Sequence, residues 1–152
     1  MFLAPHTVTA LWITTKITNP LLAFVLAVVS HFLLDIIPHG DEDLGKYVNT
    51  KNRKINYILK VGSIDVLVSI GLVYFYFMRY PNVDLLLIYA AVLGAWLPDL
   101  LWITIEVLKV KGMYWYIRFH TRVHTLIDYR YPLTYGVPVQ LGFTILMMKL
   151  IY

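Results

Sequence analysis

The stretch Ser30-His31-Phe32-Leu33-Leu34-Asp35-Ile36-Ile37-Pro38-His39-Gly40-Asp41 closes an apolar segment that begins at Pro20. On a helix, His31 and Asp35 are one turn apart and project about 40° from each other, so they share a face. Ionisable side chains are costly in lipid and normally face a protein interior, where a partner such as a metal ion compensates them. The stretch therefore predicts a polar site inside a membrane protein.

The composition indicates a membrane domain. Hydrophobic residues make up 59% of the chain and charged residues 14%, whereas a soluble domain has about 25% charged residues. A length of 152 residues fits one domain. We therefore expect a single integral membrane domain over residues 1–152. The lack of cysteine excludes disulfides and thiolate metal ligands.

Hydropathy predicts an all-α membrane protein with about five transmembrane helices and one interfacial helix. The first segment is short and is expected to pair with the second as a tight hairpin through Thr18-Asn19-Pro20. Pro98 predicts a kink or a short break beside Asp99. The predicted crossing segments are Thr7–Ile17, Pro20–Ile37, Ile55–Met78, Val83–Val107 and Tyr135–Ile151, and the interfacial segment, rich in aromatic and basic residues, is Gly112–Tyr129.

The basic residues predict the orientation, because cytoplasmic loops carry an excess of lysine and arginine. One side holds nine of them, namely Lys46, Lys51, Arg53, Lys54, Lys109, Lys111, Arg118, Arg122 and Arg130, and the other holds Lys16, Arg79 and Lys149. We therefore expect a protein of the inner (plasma) membrane with a cytoplasmic N-terminus, the loop Gly40–Lys54 in the cytoplasm and the C-terminus outside. No compact basic face with interleaved aromatic residues is visible, which argues against nucleic-acid binding.

Five ionisable residues on four predicted helices fall at similar depths. At a rise of about 1.5 Å per residue, His31 lies about 12 Å from the cytoplasmic end of its segment, and Asp65 and Asp99 lie about 15 Å deep. Asp35 is one turn shallower than His31, and His6 begins the first helix on the same side. Unrelated buried charges have no reason to share a depth. We therefore expect one polar metal-binding cluster in the cytoplasmic half of the membrane.

The interfacial segment adds His120 and His124, one turn apart on one helical stripe. Lys60 is the one basic residue at the depth of the cluster, so its carboxylates lack counter-charge. A divalent cation, or two, would supply it. Imidazole and carboxylate ligands suit zinc, the first expectation, and also manganese or iron.

Two carboxylates are candidate catalytic bases. Asp65 lies at the depth of the cluster, and Glu106 follows Asp99 by seven residues and shares its helical face. The structural interpretation of such residues stays open, because an intramembrane Asp can pair with a Lys such as Lys60 or with a backbone donor. A single buried His is likewise more often a satisfied core residue than a metal ligand.

Four short patterns of the chain are typical of one protein family: Pro5-His6-Thr7, Ser30-His31-x3-Asp35-x2-Pro38-His39, Pro98-Asp99 and His120-x3-His124-Thr125. They resemble the membrane-bound metal-dependent hydrolase-like family of bacterial inner-membrane proteins. That family is distantly similar to the zinc-dependent phospholipase C and single-strand nuclease superfamily, all-α enzymes with His and Asp ligands around zinc. In many members a second Asp stands where this chain has Leu101, and Asp65 is the candidate to replace it. The resemblance implies that His6, His31, Asp35, Asp99, His120 and His124 are metal ligands.

The leading functional hypothesis is a membrane-embedded, metal-dependent hydrolase of a lipid or lipid-linked phosphoester, with membrane lipids as partners and an anionic lipid as candidate substrate. The metal would polarise the phosphoryl oxygen. A second hypothesis is a non-catalytic membrane subunit whose metal or polar cluster is structural within a larger complex. A third is haem binding by a pair such as His31 and His124, which leaves Asp35, Asp65 and Asp99 unexplained.

Overall fold

A computed structural model describes residues 1–40, 51–127 and 132–152. All regular secondary structure in these ranges is helical, which confirms the all-α prediction. The elements in chain order are α1 (Leu3–Thr14), α2 (Pro20–Asp35), α3 (Lys51–Arg79), α4 (Leu85–Leu108), a 3₁₀ turn (Lys111–Met113), α5 (Tyr114–His124) and α6 (Leu133–Ile151). Most of the predicted cytoplasmic loop, residues 41–50, and the end of the predicted interfacial segment lie outside the described residues.

Three described helices are long and apolar enough to cross a membrane: α3 from Leu59 to Arg79, α4 and α6. The expected five transmembrane helices are not supported. With 16 residues, α2 is about 24 Å long, and with 12 residues, α1 is about 18 Å long, whereas the hydrocarbon core is about 30 Å thick. Both helices are therefore shorter than a crossing of the hydrocarbon core requires.

The turn between α1 and α2 has the local chemistry that the sequence predicted. Asn19 precedes α2, and its side-chain oxygen accepts a hydrogen bond from the Leu22 N–H at 3.0 Å. Pro20 occupies the first helical position, where its missing N–H costs nothing and its fixed φ suits a helix. The chain therefore reverses there, and α2 packs back against α1.

The short helix α1 lies at the centre of the molecule. It contacts α2, α3, α4 and α6, and nearly all of its side chains are buried, Val8 and Leu11 among them. A helix that is apolar on all sides has to be surrounded by protein or lipid. Here the surrounding helices bury it, so His6 near its start is also enclosed.

A stripe of small residues lets α2 and α4 approach closely. A Cβ atom on Gly94 would lie 2.5 Å from the carbonyl oxygen of Phe24, so no side chain fits there. Small residues at helix contacts allow such approach between membrane helices. The fully buried alanines of this contact are Ala23, Ala27, Ala91 and Ala95. The same proximity brings His31 of α2 to the backbone of α4.

The short helix α5 is fixed against α4 at Pro98. The α4 helix runs through this proline without the predicted short break, and the alternative, a kink, stays a prediction. The Tyr116 hydroxyl donates to the Pro98 carbonyl at 2.9 Å. Tyr116 and His120 are one turn apart and form the buried face of α5. The contact therefore directs the histidine face of α5 toward α4.

Candidate metal centre

The described structure brings together histidine and aspartate side chains from four helices and from the segment after α2. His6 comes from α1, His31 and Asp35 from α2, Asp99 from α4, and His120 and His124 from α5, while His39 follows α2. The side chains of His6, His31, Asp35 and His39 have no solvent exposure. Residues that are far apart in the sequence therefore meet in one buried polar cluster.

Asp35 lies at the centre of this cluster. Its Oδ2 atom is 2.9 Å from His31 Nε2 and 3.0 Å from His124 Nε2. Its Oδ1 atom is 3.2 Å from His6 Nε2 and accepts a hydrogen bond from the Met1 α-ammonium group at 2.7 Å. A single carboxylate thus contacts groups from three helices and the amino terminus.

Asp99 is the second carboxylate of the cluster. Its Oδ1 atom is 3.3 Å from His120 Nε2 and 3.7 Å from His31 Nε2. Two groups of residues could each hold a metal ion, and Asp35 belongs to both. Within each group, the ligand atoms all lie within 4.8 Å of one another. The first group is His31, Asp35, Asp99 and His120, and the second is Asp35, His39 and His124.

Several atoms in the cluster are buried without a hydrogen bond to any described residue. They approach one another without the angles that a hydrogen bond requires. An unsatisfied buried polar group costs about 1–3 kcal/mol. A cation bound among these lone pairs would remove that cost, so the donor set fits a metal ion. The atoms are both ring nitrogens of His6, Asp35 Oδ2, and the Nε2 atoms of His31, His120 and His124.

Backbone carbonyls orient two of the imidazole rings. His31 Nδ1 is 2.7 Å from the Ala95 carbonyl oxygen, and His39 Nδ1 is 2.6 Å from the Ile37 carbonyl oxygen. A carbonyl only accepts, so each Nδ1 carries a proton, and in a neutral ring the lone pair is then on Nε2. This is the usual arrangement around a metal-binding histidine.

Burial shifts the pKa values of two side chains on α5, which lies outside the candidate membrane spans. Burial lowers the pKa of His124, against an opposing contribution from Asp35, which favours the neutral ring that a metal needs. Burial also raises the pKa of Tyr116 to about 12, with a further contribution from Asp99. Tyr116 therefore keeps its proton and remains the donor to Pro98.

The structure places Asp65 at the start of α1 and in neither group. Its carboxylate accepts hydrogen bonds from the backbone N–H groups of Leu3 at 2.5 Å and Ala4 at 3.1 Å. Phe2, at the helix start, offers no side-chain cap, so Asp65 of α3 caps α1 from outside. A carboxylate at a helix N-terminus also interacts favourably with the helix dipole. These contacts give Asp65 a structural role that its depth alone did not predict.

The other predicted base, Glu106, also lies outside both groups. Its carboxylate is 2.9 Å from the Lys109 ammonium group near the end of α4, and this hydrogen bond raises the pKa of Lys109. The Glu106 side chain is 45% exposed. The contacts found are those of a surface ion pair.

Sequence reasoning missed two residues of the site, His39 and Gln140. The Gln140 side chain of α6 donates to the His39 carbonyl at 2.8 Å and accepts from the Phe2 N–H at 2.8 Å. A Cβ atom on Gly136 would lie 2.0 Å from the His39 carbonyl oxygen. Two features of the sequence could have indicated them. His39 forms a Pro-His pair directly after the His31-x3-Asp35 motif, and Gln140 is an amide within an apolar helix.

The cluster has one partly open side. The Asp99 side chain is 22% exposed and that of His124 is 17% exposed, whereas the other cluster side chains are nearly or fully buried. His31 and His124 contact the same carboxylate oxygen, which disfavours a haem held between them. Comparison of the chain with protein-family models, with curated proteins and with solved structures finds no match.

Proposed function

We propose that this chain is a membrane-embedded, metal-dependent hydrolase of a lipid or lipid-linked phosphoester. The observation that carries the proposal is the buried cluster around Asp35, in which imidazole nitrogens and a carboxylate oxygen converge without hydrogen bonds. A substrate can reach an ion only where the cluster is accessible, and Asp99 and His124 are partly exposed. The cluster is therefore suited to an ion that a substrate can reach.

The proposed cofactor is a divalent transition metal, with zinc first and manganese or iron as alternatives. His31, Asp35, Asp99 and His120 would hold it. Bound there, the ion would act as a Lewis acid toward a phosphoryl oxygen. The overall reaction adds water across a P–O ester bond, so that the hydroxyl joins phosphorus and the proton joins the leaving alcohol. Asp65 caps α1 and Glu106 pairs with Lys109, both outside the two groups, so we assign them no step in it.

The outer face of α5 supports a lipid substrate. Trp115 and Phe119 are exposed there, together with Arg118 and Arg122. Aromatic rings settle at the headgroup level of a bilayer, and arginine side chains near it attract anionic headgroups. The opposite face of the same helix carries His120 into the cluster. A headgroup bound at α5 would therefore lie within one helix diameter, about 10–12 Å, of the cluster.

The proposed location is the inner (plasma) membrane, with the cluster toward the cytoplasm. Without α1 and α2, the number of crossings falls from the predicted five to three. Both numbers are odd, so the two termini are still expected on opposite sides of the membrane. The N-terminus stays on the side of α5, where most basic residues are predicted to lie, and the C-terminus stays outside.

A non-catalytic membrane subunit is the second candidate, because the cluster joins four helices and could serve as a structural clamp. Only the hydrolase requires both bound metal and turnover, because a polar cluster can clamp the helices with or without an ion. The test is metal analysis together with phosphate release from anionic phospholipid in mixed micelles. We expect activity in the wild type and at least a tenfold loss in His120→Gln, in which one imidazole ligand is removed.

Asp84→Asn is the matched control. Asp84 is exposed and caps α4 through Leu86 at 2.9 Å, a role that Asn also fills, so activity should be unchanged. Bound metal without turnover on any phosphoester would favour the structural subunit. Absence of metal from the folded wild type would overturn the hydrolase and leave a structural polar cluster as the remaining candidate.

A further inference from the structure

We propose that the cluster holds two cations rather than one, with Asp35 shared between them and the second position formed by Asp35, His39 and His124. The inference deepens the proposed function, which needs only the first group. Neither the sequence patterns nor the family resemblance assigned His39 as a ligand. The second position is carried by the geometry of the described residues.

The first step is the bridging position of Asp35. Its Oδ2 atom lies 2.9 Å from His31 Nε2 and 3.0 Å from His124 Nε2, so one oxygen faces a member of each group. This oxygen is fully buried and has no hydrogen bond to a described residue. A carboxylate has lone pairs enough to contact two cations. The Oδ1 atom is meanwhile engaged by the amino terminus.

The second step is the spacing along α5. His120 belongs to the first group and His124 to the second, and their ring centroids are 4.7 Å apart. One helical turn rises about 5.4 Å. Metal ions that share a substrate in two-metal sites lie about 3.5–4 Å apart. Successive turns of α5 therefore present imidazoles at a separation that suits a pair of ions.

The third step is the rigidity of His39. Its Nδ1 contacts the Ile37 carbonyl at 2.6 Å, and its own carbonyl accepts from Gln140 at 2.8 Å. Its ring lies 5.2 Å from that of His124. A chain segment held at ring and backbone is preorganised in the way that metal ligands require.

The two positions differ in their ligands. The first has four, two of them carboxylates, and the second has three, one of them a carboxylate. Three protein ligands fill one coordination position fewer than the four ligands of the first group. His124 is also on the open side of the cluster. We therefore expect the second position to bind its ion more weakly and to exchange it faster.

The test is the number of ions per chain. Full-length protein in detergent is stripped with chelator, equilibrated with Zn²⁺ and analysed by mass spectrometry for metal. We expect two ions per chain in the wild type, one in His39→Gln, one in His120→Gln and fewer than one in Asp35→Asn. The control Asp84→Asn, away from the cluster, should keep two.

A Co²⁺ titration of the wild type gives the same count without any substitution. Two successive changes in the visible absorption, one at each equivalent, would support the proposal. A single change complete at one equivalent, or a His39→Gln protein that keeps as many ions as the wild type, would overturn it. That result would leave the first position and the proposed function standing, whereas no uptake at all would remove both. If His39→Gln fails to fold, His124→Gln removes the other imidazole of the second position.

Discussion

At the scale of single residues, Asp35 organises the site and Asp65 organises the helix that supplies His6. Asp35 is surrounded by imidazoles and by the amino terminus, and Asp65 by the backbone N–H groups of Leu3 and Ala4. Two carboxylates in apolar helices thus have different partners. Asp35 contacts an α-ammonium group and three imidazoles, whereas Asp65 caps a helix N-terminus.

The capping role of Asp65 leads to a prediction for Asp65→Ala. Losing an N-cap acceptor costs about 0.5–2 kcal/mol, so we expect a lower melting temperature in detergent and an unchanged metal content in the folded protein. Asp84→Ala removes the cap of α4 in the same way and is the matched control. If Asp65→Ala lost metal while Asp84→Ala kept it, Asp65 would belong to the centre after all.

At the scale of elements, the sequence predicted which residues meet better than it predicted which helices cross. The four-residue spacings of His31 with Asp35 and of His120 with His124 fix shared faces, and these faces do converge. Depth along a helix does not fix the direction in which a side chain projects. The depth of Asp65 predicted that it joins the cluster, whereas its carboxylate contacts the start of α1. His39 follows Pro38, where the helical period ends and spacing no longer indicates direction.

The close contact of α2 with α4 predicts the effect of Gly94→Ala. A Cβ atom there meets the Phe24 carbonyl at 2.5 Å, so the helices must separate and His31 must move from the Ala95 carbonyl. Overpacking of this kind costs about 1–3 kcal/mol, and we expect weaker metal binding measured by competition with a chelator. Gly71→Ala is the control, since nothing lies within 4 Å of a Cβ atom there. Equal metal affinity in both variants would contradict the role of this contact.

At the scale of the whole molecule, all three long helices contact the short helix α1, and the short helix α2 packs against α1 and α4. The two short helices bring His6, His31 and Asp35 to the cluster. The lengths of α1 and α2 were too small to decide crossing from composition alone, because an apolar helix can be buried in protein as well as in lipid. The long helices can therefore serve as the anchor, while the short helices and α5 shape the site between them.

The orientation can be tested by cysteine labelling, because the chain has no native cysteine. Asn82 lies in the turn between α3 and α4, and Lys111 lies after α4, and both are exposed. We expect an impermeant thiol reagent added to intact cells to label Asn82→Cys and to leave Lys111→Cys unlabelled until the cells are opened. The reverse pattern would invert the proposed topology.

The central claim is that histidines and aspartates of the buried cluster bind a divalent transition metal. X-ray absorption at the metal edge of the purified wild-type protein tests it most directly. The account predicts nitrogen and oxygen neighbours at about 2.0–2.2 Å, together with the outer-shell scattering of at least two imidazole rings. A protein without metal, or a metal surrounded by oxygen without imidazole, would contradict it.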